Sequence, residues 1–228
     1  MSTATSAAGD AFRESVRSWV EANFPQELKD QPASMEGAGD GDLAQALERW
    51  RDALAGQGWG APTWPKAYGG AGLTPAEARV ISQEIGRAGG YNPIPLMAGM
   101  GVTMVGPTLL EYGTDEQKEK HLPGIASGKI RWCLGLSEPN AGSDLAGMRS
   151  TAVEQDDHWV LNGSKTYISN GINADVIIVA AKTDPDNNPH AMTLFIVERG
   201  MEGFERGRNL KKMGMKGQDT AELFFNNV

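Results

Sequence analysis

Gly135-Leu136-Ser137-Glu138-Pro139-Asn140-Ala141-Gly142-Ser143-Asp144-Leu145-Ala146-Gly147 concentrates hydroxyls, carboxylates and glycine steps in one short segment. It follows an apolar run, Arg131-Trp132-Cys133-Leu134, that reads as a strand. Lys165-Thr166-Tyr167-Ile168-Ser169-Asn170-Gly171 reads as a second strand carrying an aromatic ring and a hydroxyl. Strand alternation puts Tyr167 and Ser169 on the same side. Asn162-Gly163, between the apolar runs 158–161 and 165–168, predicts a hairpin turn, since both turn positions need positive φ. Residues 176–181 and 192–197 predict buried strands around a 184–189 loop, and Glu222-Leu223-Phe224-Phe225 predicts one more. From residue 130 onward the pattern is β.

Upstream of Ser127-Gly128-Lys129 the apolar spacing is helical. Phe12, Val16, Trp19 and Val20 share one helix face, and Leu43, Leu47, Trp50 and Leu54 repeat the pattern in a helix opening at Asp40 or Asp42. Thr74-Pro75-Ala76-Glu77 and Thr114-Asp115-Glu116-Gln117 are capping boxes that open further helices. The first of these ends at Gly89-Gly90, and the second is expected to stop at Pro123. A Met-rich run over 96–110 closes at Gly113, and the 31–41 stretch reads as a connection between helices. The fold class is therefore α+β in two domains: an all-α bundle over 1–129 and a small antiparallel β-barrel or sandwich over 130–228.

A net charge of −8 and a pI near 5.0 argue against nucleic acid or an anionic membrane surface as the main partner. Cys133 is the single cysteine, so an intrachain disulfide is excluded, and its apolar strand marks it as core rather than nucleophile. Residues 1–9 are small and polar, unlike a signal peptide or anchor, and a cytoplasmic protein is expected. His121, His158 and His190 lack ligand spacing, so no metal site is assigned. The glycines form neither a dinucleotide fingerprint nor a phosphate-binding loop.

Taken singly, Ser137 to Asn140 read as a turn, Gly142 to Asp144 as a loop or helix cap, and Tyr167 as a packing residue. Together they have the parts a flavin needs. Open backbone at glycine lets amides approach a ring or a phosphate, and hydroxyls can meet the ring's polar edge.

The two segments in combination resemble the acyl-CoA dehydrogenase family, flavoenzymes that oxidise the α,β-bond of acyl-CoA thioesters. The resemblance extends through Gly58-Trp59-Gly60-Ala61-Pro62, Trp64 to Gly70, Gly113 to Lys118, Met213-Gly214-Met215-Lys216-Gly217 and the final strand. It implies FAD as cofactor and acyl-CoA as substrate, with an electron-transfer flavoprotein or similar acceptor and homo- or hetero-oligomeric assembly. Ser137 would meet flavin N1/O2, with the backbone of Leu134 to Leu136 alongside. Gly142 and Ser143 would lend open backbone and a donor, Ser143 lying near the substrate's CoA portion. Tyr167-Ile168-Ser169 matches the family's aromatic-Ile-Ser/Thr step, with the Tyr167 ring by the flavin and the Ser169 hydroxyl at N5. Asn140 departs from the usual glycine, a change that left-handed backbone at Asn would tolerate.

The same resemblance implies a second helical bundle and a catalytic glutamate, both expected beyond Val228. No residue within the chain takes that role, and Glu138 is disfavoured for it. The expectation is a truncated or split enzyme with negligible turnover alone. Two alternatives stand beside it: an acyl-CoA oxidase or flavin monooxygenase on the same scaffold, and a non-catalytic partner that pairs with a second helical chain.

Overall fold

The computed structural model describes residues 7–32, 41–184, 188 and 191–228. Asp40, His190 and most of the connections at 31–41 and 184–189 lie outside the described residues. The chain forms two compact units, Met1–Lys129 and Ile130–Val228.

The first unit is helical: α1 (Ala7–Asn23), α2 (Asp42–Gly56), α3 (Pro75–Arg87), α4 (Ile94–Met97), α5 (Gly106–Tyr112) and α6 (Asp115–Ala126). The periodic residues of α1 and α2 meet in one core. Val16, Val20, Leu47, Trp50 and Leu54 are buried there, and Phe12, Trp19 and Leu43 pack against them. Trp50 is its hub: its ring lies 5.2 Å from Phe24 and 5.8 Å from Trp19. Its indole N–H donates to the Tyr91 carbonyl at 2.9 Å, which satisfies the one polar atom a buried tryptophan carries.

Both capping boxes form. Thr74 accepts from the Glu77 amide and Thr114 from the Gln117 amide, with each N3 side chain returning the bond. Gly89 follows α3 at φ +85, and Gly90 N–H closes on the Ile85 carbonyl. Pro123 does not stop α6, which runs through it to Ala126. A proline one turn from a helix end forfeits one bond, and α6 buries His121, Leu122, Ile125 and Ala126 around it. The Met-rich run is broken, with a π-helical turn over Gly101–Val105 between α4 and α5. The glycines of the 58–70 loop serve close packing. A Cβ on Gly60 would come within 1.9 Å of the Ala126 carbonyl oxygen.

The second unit is a curled sheet of seven strands: β1 (Trp132–Gly135), β2 (Thr151–Gln155), β3 (His158–Ser169), β4 (Val176–Lys182), β5 (Met192–Glu198), β6 (Phe204–Asn209) and β7 (Thr220–Phe225). The order is β1-β4-β2-β3-β7-β6, with β5 also on β4. Pairings are antiparallel, except that β1, and β2 at one residue pair, run parallel to β4.

Two local expectations are corrected. The hairpin turn falls at Asp156-Asp157, with Gln155 opposite His158, and β3 runs straight through Asn162-Gly163. Gly163 is needed for contact instead: at φ +149, its Cβ would lie 2.2 Å from the Ser150 hydroxyl. Strand β5 is buried only at Val197. It pairs β4 and exposes Met192 and Leu194, whereas β4 is buried over six consecutive residues.

Cys133 is fully buried in the β core, and burial pushes its thiol up to about 12. The folded chain should therefore resist a disulfide thiol reagent at pH 8 and react with it once urea unfolds the β unit. Fast labelling without urea would contradict this placement.

Candidate functional site

Strand β1 ends at Gly135, and the chain turns back over Glu138-Pro139-Asn140-Ala141. Glu138 and Ala141 exchange both backbone bonds, at 3.0 and 3.1 Å. Leu136, Ala141, Leu145 and Met148 then form a small apolar cluster with Ala180 of β4, which pins the loop to the sheet. Gly142, Ser143 and Asp144 remain exposed between these anchors.

The Glu138 side chain points into the fold. Its carboxylate accepts from the Arg149 amide at 2.6 Å, the Ser150 amide at 3.0 Å and the Lys165 ammonium at 2.8 Å. Burial alone would raise its pKa, but the hydrogen bonds from Lys165, Ser150 and Arg149 outweigh burial and hold it below the usual carboxylate range. Lys165 is enclosed, with no exposed side-chain area, and burial lowers its pKa against the pull of Glu138. The carboxylate has more donors than the ammonium has acceptors, so the charge on Glu138 is the more firmly held. A buried carboxylate that accepts from three donors and is held below the usual carboxylate range is a weak proton acceptor for a bound substrate.

Lys165 does more than neutralise Glu138. Its ammonium also donates to the Leu136 carbonyl at 3.2 Å, and the next amide, Thr166 N–H, donates to the Ser137 carbonyl at 2.8 Å. Leu136, Ser137 and Glu138 are thus each bonded to Lys165 or Thr166, and two segments far apart in sequence become one ledge. Gly142 and Ser143 take no part in these bonds. Leu134 pairs with Ile178 inside the sheet, and its side chain is the one half-buried position of β1.

A bulge shapes the ledge. Between Lys165 and Ile168 strand β3 takes one more residue than β7 opposite it. Plain alternation would put Lys165, Tyr167 and Ser169 on one face. The extra residue lets Lys165 and Thr166 turn inward while Tyr167 turns out, 73% exposed, with Ser169 half-buried and Ile168 in the core. Ile168 can therefore offer a ligand only backbone. Tyr167 has φ +58, a costly conformation for a bulky side chain, of the order of 1–3 kcal/mol. Asn140 is not among the left-handed residues, so its tolerance rests on exposure instead.

The sequence reading missed Lys165 and the bulge. A lysine in an otherwise half-apolar strand, with a glutamate in the neighbouring motif, was the available signal. Among the described residues, no group of three His, Cys, Asp or Glu side chains could hold a metal ion, and no helix is long and apolar enough to cross a membrane.

Fold and ledge together define a helical domain followed by a β domain that presents an aromatic, hydroxyl-flanked face. Residues 6–129 match the family described as Acyl-CoA dehydrogenase, N-terminal domain, and residues 133–228 match Acyl-CoA dehydrogenase, middle domain. The chain belongs to the acyl-CoA dehydrogenase family. It is 38% identical to the mitochondrial long-chain specific acyl-CoA dehydrogenase of Mus musculus over 96% of its own length and 49% of that protein. The acyl-CoA dehydrogenase of Geobacillus kaustophilus is 36% identical, with TM-score 0.72, over all of this chain and 57% of that one. A structure of PigA with FAD and proline is 26% identical at TM-score 0.72, over all of this chain and 57% of that one. The chain spans about half the length of the curated relative it matches.

Proposed function

We propose that this chain provides the cofactor-facing part of an FAD-dependent acyl-CoA dehydrogenase that introduces an α,β double bond into an acyl-CoA thioester. The carrying observation is the ledge: Lys165 and Thr166 bond to Leu136, Ser137 and Glu138, while the Tyr167 ring stays exposed beside them.

The residues fit a flavin. Tyr167 offers an exposed aromatic face, Ser137 and Ser169 offer hydroxyls on the two joined segments, and Gly142 has open space where a Cβ would stand. Bound FAD would supply the two-electron acceptor of the oxidation. Ser137 would donate to the polar pyrimidine edge, Tyr167 would lie along the ring, and the Ser169 hydroxyl would meet the N5 side. Exposed Ser143 would hydrogen-bond the thioester's CoA portion. Glu138 holds no transferable role in this scheme, because its charge is spent on the ledge.

Titration of the full chain with FAD, followed by desalting and a visible spectrum, tests this reading. The chain should retain flavin, and Ser137→Ala should weaken binding roughly fivefold, the loss of about one hydrogen bond. Tyr167→Ala should weaken it by a similar or larger factor. A wild-type chain that stays colourless at saturating FAD would overturn the proposal.

A further inference from the structure

Ser169 sits between two left-handed residues that are not glycine, Tyr167 at φ +58 and Asn170 at φ +63. Backbone of this kind persists only where its surroundings hold it, and it concentrates at functional positions. On the Tyr167 side, the bonds from Lys165 and Thr166 to the Leu136–Glu138 segment do the holding. On the Asn170 side, Gln218 and Asp219 do it; they are 8% and 2% exposed, and the register of β7 on β3 places Thr220 opposite Ser169.

Asp219 gathers the whole turn that follows. Its Oδ2 accepts from the Ile172 amide at 2.7 Å and the Asn173 amide at 3.4 Å, and its Oδ1 accepts from the Asn173 side chain at 3.1 Å. The Asp219 carbonyl accepts from the Asn170 amide at 3.2 Å. The Gln218 side-chain amide donates to Asn170 Oδ1 at 2.8 Å. Arg206 donates to the Gly171 and Ala174 carbonyls at 3.0 and 2.8 Å, and Arg199 donates to those of Ile172 and Ala174 at 3.2 and 2.8 Å. The Ile172 and Asn173 amides thus end on one buried carboxylate, and the carbonyls of Gly171, Ile172 and Ala174 end on two guanidinium groups.

A buried carboxylate bound by two backbone amides and by the side-chain amides of Asn173 and Gln218 is a costly way to close a loop, since an apolar residue would avoid desolvating a charge. What it provides is a fixed backbone immediately after Ser169. We propose that Asp219 is a positioning residue for the flavin: it holds the Asn170–Asn173 turn, and through Asn170 it sets where the Ser169 hydroxyl and the Tyr167 ring stand. This inference rests on the flavin reading above.

The test uses the full chain with Asp219→Asn, which keeps the shape but leaves one acceptor oxygen and no charge where the carboxylate has two oxygens for the turn, and with Gln218→Ala as the milder change. Ser169→Ala, which removes only the hydroxyl, is the spectral reference. Residue-resolved amide exchange and FAD titration are read together. Asp219→Asn should speed exchange at Ile172 and Asn173 by on the order of tenfold and leave β4 unchanged. It should also weaken FAD on the order of tenfold. The flavin that still binds should show the same shift of its visible band as Ser169→Ala. Gln218→Ala should move all three readouts in the same direction by less, and it decides the matter if Asp219→Asn does not fold. Faster exchange with wild-type FAD affinity and spectrum would reduce Asp219 to a loop anchor and overturn the proposal. A wild-type chain that binds no FAD overturns the flavin reading itself, and the positioning role with it.

Discussion

Lys165→Met should destabilise the β unit by about 3–5 kcal/mol, the usual result of removing one partner from a buried ion pair. The side chains of Lys165 and Glu138 are 0% and 6% exposed, so solvent cannot replace the lost ammonium. The single cysteine makes the effect measurable in the right domain. Cys133 is buried in β1, so its labelling under rising urea follows the opening of the β unit. The variant should label at markedly lower urea than the wild type. Lys165→Met combined with Glu138→Leu should recover part of the loss, because no buried charge is then stranded. Wild-type labelling behaviour in Lys165→Met would mean that the pair does not hold the ledge.

The pH dependence follows from the direction of the Glu138 shift. Its folded pKa lies below the unfolded value of 4.5, so its contribution is complete above that value and is lost as pH falls through the folded pKa. In Lys165→Met the largest favourable partner is gone while burial remains, so the folded pKa moves up from its wild-type position. The variant's deficit should then be largest near neutral pH and shrink toward acid, where Glu138 enters the fold protonated. A deficit independent of pH would assign the loss to packing rather than charge.

Trp50→Ala should cost the helical unit roughly 3–5 kcal/mol, the range for emptying a buried aromatic site. Trp50 is 1% exposed and touches both Phe24 and Trp19, so truncation opens a cavity where α1 and α2 meet and strands the Tyr91 carbonyl. With an m-value of about 1–3 kcal/mol/M in urea, the fluorescence transition of the remaining tryptophans should fall by about 1–5 M. Trp50→Phe keeps most of the buried area and loses one hydrogen bond, so its deficit should be nearer 1 kcal/mol. Equal deficits for the two variants would place the energy in the hydrogen bond instead of the packing.

How much of this was legible in sequence depends on the range of the interactions. Helix faces such as Phe12-Val16-Trp19-Val20 and the Thr74 and Thr114 capping boxes depend on residues three or four apart, and the structure reproduces them. The strands at 132–134, 165–168, 176–181 and 222–225 were also readable, since pattern and composition both indicate them. Local reading failed where a distant neighbour set the outcome. Pro123 stays inside α6 because tertiary packing around it compensates for a lost bond. Asn162-Gly163 lies in mid-strand because Ser150 needs a neighbour without a side chain. Residues 192–197 are largely apolar yet form a strand that is exposed over its first half, because burial depends on what covers a face and not on the strand's own composition.

The candidate site divides along the same line. By itself the sequence determined the family, the two-domain order and the two segments that carry Ser137, Ser143, Tyr167 and Ser169, because these are matters of residue type and spacing. Only the tertiary structure decided that a buried Lys165–Glu138 pair joins the segments, that a bulge turns Tyr167 outward while Ile168 stays in the core, and that Asp219 anchors the turn beyond Ser169. Each of these depends on groups tens of residues apart meeting where water is excluded. There an ion pair or a strained backbone angle has a large energetic effect, and one strand's pattern does not record which partner it will meet.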